Sequence, residues 1–477
     1  RSERWLAMVL TTRSICIVRA AARSWAGTGH AKRLLSGSCG PKLGSMMPCR
    51  SYRICQRGAN RSIGPSPAGV PWLGQRPGLW RASSSQASAA APAGSATAAI
   101  HADALLDSGD AWMLSTASDV SPPLSMSTTF TCPEDVSRGH VYSRISNPSR
   151  SRCEALLSAV ESTVDAPAHA VLYASGLAAS FAILSRLLPS RVAISGGYHG
   201  THLVLQQLSR ISCGARCNTV PLPSPSEVAC SLSPGDLIWL ESPLNPSCDV
   251  FDIAAYVQVA KAVGGVHVVV DGTFAPPPLQ RPLALGADAV VHATTKYLAG
   301  HSDAMGGAVC VSDAGLADLL REDRTAQGCT PGALEVWLLM RSLRTLHLRV
   351  GRQSATASEL AAWLHDATVS DSHPLAGLVH AVHHPSLPTH PAHDVAARQM
   401  TGGFGGCFAL ELTTEAAARA LPAELTLFRD ATSLGGVESL VEWRRKYDDA
   451  ISPLLLRLSV GLEDPGDLRA DLLRAIR

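Results

Sequence analysis

Between residues 166 and 311 the chain alternates short β-branched runs with longer stretches of helical periodicity. Val171-Leu172-Tyr173 reads as a strand that runs into Gly176 and a helix ending at Leu188. Residues 191–195 read as a second strand, followed by a helix over about 203–211. Residues 236–240 are a third, followed by a helix over 253–263. Val266-His267-Val268-Val269-Val270 is almost wholly apolar, the pattern of a strand covered on both faces. Ala289-Val290-Val291 and Ala308-Val309-Cys310-Val311 extend the series. This alternation predicts an α/β fold, a mainly parallel sheet with helices on its faces. Such sheets bind ligands beyond the carboxyl ends of their strands. Gly176, Tyr198, Asn245, Asp271 and Lys296 fall there.

From about Arg349 the rhythm changes to a helix near 354–366, a histidine-rich stretch, a strand over Cys407–Leu412 and a closing helix over 465–476. This predicts a smaller α+β domain over 349–477 after a large domain over 166–348, with residues 100–165 as an N-terminal arm. His365, His373, His380, His383, His384, His390 and His393 lie among Pro, Ser and Asp, with no helical pair backed by a carboxylate, and read as a polar loop. Residues 1–99 differ in kind. Up to Ile100 the only acidic residue is Glu3, while arginines recur from Arg4 to Arg81, before an Ala/Gly/Ser/Pro tract. An Arg- and Ser-rich, acid-poor leader with a flexible linker is the composition of an organellar transit peptide, with a plastid the first expectation and a mitochondrion the alternative.

The whole chain has 477 residues, 17% charged and 46% hydrophobic, which suits a well-packed enzyme. Its net charge of +2, with thin basic-aromatic interleaving, makes no case for nucleic acid. No apolar run approaches the roughly 18 residues of a membrane span. The 13 cysteines are scattered and lack paired zinc-ligand spacing, so no metal is expected.

Lys296 stands in Val290-Val291-His292-Ala293-Thr294-Thr295-Lys296-Tyr297, downstream of Asp271 at the end of an apolar strand. A lysine amine can capture an aldehyde, and a buried carboxylate can keep a pyridine nitrogen protonated. Together they are what an enzyme needs to hold pyridoxal phosphate. The neighbouring motifs strengthen the reading. Tyr142-Ser143-Arg144-Ile145-Ser146-Asn147-Pro148-Ser149, Tyr173-Ala174-Ser175-Gly176-Leu177, Glu241-Ser242-Pro243-Leu244-Asn245-Pro246 and Asp271-Gly272-Thr273-Phe274 follow in order. Gly300-His301-Ser302-Asp303, Ser433-Leu434-Gly435-Gly436 and Arg457-Leu458-Ser459-Val460-Gly461 complete the series. From about Ser127 onward the chain resembles the trans-sulfuration branch of pyridoxal-phosphate enzymes: cystathionine γ-synthase, β-lyase and γ-lyase, and methionine γ-lyase.

The resemblance implies a PLP-dependent, aminotransferase-like fold and a role for each matched residue. Lys296 carries the cofactor and moves protons, with Asp271 at the ring nitrogen. Tyr198 stacks on the ring and relays protons. Gly176 and Leu177 present backbone N–H groups to the phosphate at a helix start, and Thr295 also lies in the cofactor site. Tyr142 and Arg144 reach the phosphate of a neighbouring subunit, which requires at least a homodimer and implies a homotetramer. Arg457 forks onto the substrate α-carboxylate, helped by Asn245 and Ser433.

The chain departs from the family pattern at Ala293, where serine is usual, at Gly272 for asparagine and at Thr432 for glutamate. His199-Gly200-Thr201-His202-Leu203 and Glu442-Trp443-Arg444-Arg445 are also unusual. The implied function is a carbon-sulfur lyase acting on cystathionine or a related small thioether amino acid. Cystathionine γ-synthase is the alternative, a non-catalytic cofactor-binding paralogue a further one, and an aminotransferase is discouraged by the full motif series.

Overall fold

A computed structural model describes residues 94–103, 120–132 and 139–476. Most of the expected leader and linker, and parts of the 100–165 arm, lie outside the described residues.

The larger sheet comprises β1 (His169–Tyr173), β2 (Arg191–Ile194), β3 (Asn218–Pro221), β4 (Leu237–Glu241), β5 (His267–Asp271), β6 (Ala289–His292) and β7 (Gly307–Val311). Their spatial order is β1-β7-β6-β5-β4-β2-β3. Strands β2 to β6 pair in parallel, whereas β7 runs antiparallel to both β6 and β1. The carboxyl ends of β1, β2, β4, β5 and β6 therefore share one edge. Strand β5 shows why the sequence signal was strong. Val268 and Val270 enter the apolar layer on one face, and Val269 enters the layer on the other. Burying a valine is worth about 1.5–3 kcal/mol, so a polar residue at any of the three would be costly.

Helix Gly176–Leu187 follows β1 because Ser175 caps it, its Oγ accepting the Ala178 N–H at 3.1 Å. Helix Ile253–Val263 is capped in the same way by Asp252 and stops at Gly264, whose φ of +75° suits glycine.

The smaller sheet runs β10-β11-β12-β9-β8. It is built from β8 (Val379–His383), β9 (Cys407–Leu412), β10 (Arg429–Asp430), β11 (Leu440–Trp443) and β12 (Leu455–Ser459). The histidine-rich stretch corrects the loop expectation. It contains β8 and the helix His393–Gln399, and His384 is buried, its ring facing Ser386 Oγ and the Gly405 carbonyl. Alternating Val379 and Val382 with histidines hid the strand. The expected boundary at 348/349 falls inside one continuous helix, Leu346–Val369. Its first turns pack Leu346 and Val350 into the core beneath the large sheet, and its later turns pack Leu360 and Leu364 into the second core. No described helix is long and apolar enough to cross a membrane.

Candidate active site

The parallel strands bring two buried carboxyl groups side by side. Glu241 ends β4 and Asp271 ends β5, directly opposite each other in the strand register. Asp271 Oδ1 accepts the Thr273 N–H at 3.0 Å, and burial raises its pKa. Burial first, and then the neighbouring Asp271, push Glu241 up to about 8. Among the described residues no cation of the chain bonds to Asp271. A buried acid pair whose hydrogen bonds among the described residues come from backbone N–H and hydroxyl donors suits a ligand that brings its own protonated nitrogen. Pyridoxal phosphate fits that requirement.

Lys296 lies in the turn after β6, where its N–H donates to the Ala293 carbonyl at 3.0 Å and its own carbonyl accepts from Gly300 at 2.7 Å. Burial, and next the charge of Arg457, lower the pKa of its amine. Nζ donates to Ser433 Oγ at 2.8 Å. Ser433 is held at a φ of +104°, a region non-glycine residues rarely adopt.

Two buried side chains, Arg349 and Gln353, fix this arrangement from behind. Arg349 donates to the Tyr297 and Ser342 carbonyls, both at 2.9 Å, and Gln353 donates to the Gly436 carbonyl at 2.6 Å.

Arg457 sits on β12 and is 4% exposed, so it is a core arginine rather than a surface one. Its Nη1 donates to Asn245 Oδ1 at 2.9 Å, and its Nη2 donates to the Ser433 carbonyl at 2.8 Å and to Glu442 Oε2 at 2.6 Å. Glu442 stands opposite Arg457 in the β11–β12 register and also accepts from Arg444 Nη1 at 2.8 Å. Two guanidinium groups thus share one buried carboxylate. Their excess positive charge favours an incoming carboxylate.

Gly176 and Leu177 open their helix, ahead of its internal hydrogen bonding, where backbone N–H groups face outward. Ala293 lies against this start: a methyl on Gly176 would come within 2.8 Å of its Cβ. Ala293 therefore stands where the family serine would, without a hydroxyl. The Thr295 hydroxyl donates to the Gly306 carbonyl at 3.2 Å and accepts the Gly306 N–H at 3.0 Å, tying the lysine turn to the segment leading into β7. Thr294 is buried against Gly306. Tyr198 is 39% exposed, and its N–H donates to Glu241 Oε2 at 2.7 Å. Tyr142 is also exposed, with the Arg144 guanidinium 5.2 Å from its ring centroid.

The fold thus joins Lys296, Ser433, Arg457 and Asn245 in one hydrogen-bonded chain, with Tyr198 linked to it through Glu241 and Asp271 beside Glu241 on the next strand. Tyr142 and Arg144 form a separate exposed pair. Sequence reasoning passed over Glu241, Glu442 and Arg349. Glu241 was legible as the first residue of its motif at a strand end. The other two acquire their partners only through tertiary packing.

The family model for Cys/Met metabolism PLP-dependent enzymes matches residues 96–477. A cystathionine γ-synthase of Mycobacterium leprae is 38% identical over 371 residues, covering 75% of this chain and 92% of that protein. A cystathionine γ-lyase of Bacillus subtilis is 34% identical over 373 residues, covering 75% and 94%. The crystal structure of an apo methionine γ-lyase from Micromonospora echinospora superposes with a TM-score of 0.70 at 38% identity, covering 81% of this chain and 99% of that one. With its buried lysine, acid pair and arginine on this scaffold, the chain belongs to the Cys/Met-metabolism family of pyridoxal-phosphate-dependent trans-sulfuration enzymes.

Proposed function

We propose that the chain is a carbon-sulfur lyase acting on cystathionine or a closely related thioether amino acid. One observation carries the reading. Ser433 accepts the Lys296 amine through its hydroxyl and the Arg457 guanidinium through its carbonyl. The proton-moving group and the α-carboxylate anchor are thereby fixed to a single residue, the spacing an α-amino acid substrate requires.

Lys296, Asp271, Tyr198, Gly176, Leu177 and Thr295 would hold the cofactor. When bound, it supplies an electron-withdrawing ring that accepts the charge left at the substrate α-carbon. Arg457 and Asn245 orient the substrate carboxylate. The Lys296 amine, its pKa lowered by burial and by Arg457, takes the α-proton. Tyr198, open to the cleft, passes a proton to the departing sulfur. Tyr142 and Arg144 serve the site of a second copy, so the working form is a homodimer at least and a homotetramer by family resemblance. The basic leader directs the protein to an organelle, with a plastid favoured.

A second reading, cystathionine γ-synthase, has support of its own: the Mycobacterium leprae relative carrying that name is as similar, at 38%, as the methionine γ-lyase structure. Incubation with L-cystathionine and pyridoxal phosphate, followed by mass spectrometry, separates the readings. Homocysteine with pyruvate marks β-lyase chemistry, and cysteine with 2-oxobutanoate marks γ-lyase chemistry. Absence of both product pairs would overturn the lyase proposal, and formation of cystathionine from cysteine and an activated homoserine ester would establish the synthase. Lys296→Ala is expected to abolish turnover, and retained activity would overturn the mechanism.

A further inference from the structure

We infer that Glu241 is a positioning residue that locks the cofactor-facing Tyr198 to the substrate-facing Asn245–Arg457 arm. The inference rests on the site roles proposed above.

Glu241 is almost fully buried at the end of β4, and both its carboxylate oxygens are occupied. Oε2 accepts the Tyr198 N–H at 2.7 Å, and Oε1 accepts the Asn245 N–H at 2.9 Å. Those amides belong to two separate loops. One follows β2 and contains Gly196 and Gly197, with φ of +48° and +82°, and the other follows β4 itself. A side chain at Gly197 would run into Glu241 Oε2 and lie 3.3 Å from Leu244 Cδ1, so the first loop closes onto the carboxylate only with glycine there. On the other side, Asn245 continues the chain of contacts by accepting Arg457 Nη1 at 2.9 Å. One carboxylate therefore sets where the aromatic ring and the carboxylate anchor stand relative to each other.

The geometry explains an otherwise costly choice. A second buried acid next to Asp271 is unfavourable unless its two oxygens do something that a single acceptor cannot. Accepting two converging backbone donors is such a task. Glutamine has a single acceptor oxygen, and its amide would point N–H groups at one of the two donors. Aspartate keeps both acceptors but is one methylene too short to reach both loops.

The test uses the full-length holoenzyme. Glu241→Gln is expected to lower kcat/KM by roughly tenfold to a hundredfold, the effect of one misplaced buried hydrogen-bonding group. It should also alter the visible circular dichroism of the bound cofactor and weaken cofactor binding. Both changes follow if Tyr198 shifts. Glu241→Asp should fall between Gln and wild type in each readout. A Gln variant with wild-type dichroism, cofactor affinity and kinetics would overturn the inference. So would one that loses thermal stability while its dichroism and KM stay unchanged, because that pattern marks a merely structural role. Amide hydrogen exchange of the wild-type holoenzyme offers a check that needs no variant. Tyr198 and Asn245 should be protected together, and free exchange at both would overturn the clamp. Failure of the site roles themselves would show separately, as turnover retained in Lys296→Ala.

Discussion

Arg457→Lys is the substitution that most directly separates geometry from charge in this site. Lysine keeps the positive charge that lowers the Lys296 pKa, so the acid–base poise of the amine should change little. The fork is what disappears. In the native chain, two η-nitrogens reach three acceptors on three different segments: Asn245 Oδ1, the Ser433 carbonyl and Glu442 Oε2. A single ammonium on a flexible stem cannot span them and also present paired donors to a substrate carboxylate. Hydrogen bonds to charged groups are worth about 1.5–3 kcal/mol each. Replacing a bidentate contact by a single one should cost about 2–3 kcal/mol in the transition state, or roughly 30- to 150-fold in kcat/KM. The assay is steady-state kinetics on the thioether substrate beside its α-carboxamide analogue. Wild type should discriminate strongly between the two, and Arg457→Lys much less. If the variant retained kcat/KM within about threefold and discriminated as well as wild type, the assignment of Arg457 as carboxylate anchor would be refuted.

Two other predictions concern stability. Burial lowers the His384 pKa to about 4, so between the unfolded value of about 6.5 and 4 the unfolded chain binds a proton that the folded chain refuses. Stability should fall as pH drops through that window, by up to about 3 kcal/mol from this group. Urea midpoints of His384→Gln and wild type should therefore converge towards acid, and parallel pH curves would contradict the argument. A methyl on Gly272 would come within 2.8 Å of His292 Cε1 and 3.1 Å of Val290 Cγ1. Gly272→Ala should accordingly cost about 1–3 kcal/mol by overpacking, read as a lowered thermal midpoint. An unchanged midpoint would mean that the buried His292 ring moves aside freely.

The parts of the fold legible in the sequence are those where one local pattern decides. Strand β5 and helix Ile253–Val263 were readable because burial on both faces, and a cap with a terminal glycine, leave their marks within a few residues. Strand β3 was missed because Asn218–Pro221 is a largely exposed edge strand with little apolar signal. The reversal of β7 was equally invisible, since Gly307–Val311 is apolar whichever way it runs. In the site, Lys296 and Asp271 announced themselves by chemistry and motif. The pairing of Arg457 with Glu442 depends on strand register, and Arg349 depends on a helix docking against the lysine turn. Neither can be read along the chain.

The Leu346–Val369 helix bears on which parts of the enzyme are free to change. Arg349 and Gln353 stand one turn apart on the same helical face. One grips the backbone beside Lys296, and the other grips the loop that carries Ser433. The gap between base and anchor is therefore ruled off along a rigid rod rather than left to the loops that line the cleft. The exposed Thr432, beside Ser433 but outside both grips, can vary without moving that gap. Lengthening the rod by one residue between the two grips would swing them about a third of a turn apart. Selection on specificity can thus work the periphery while the core dimension of the chemistry stays constant.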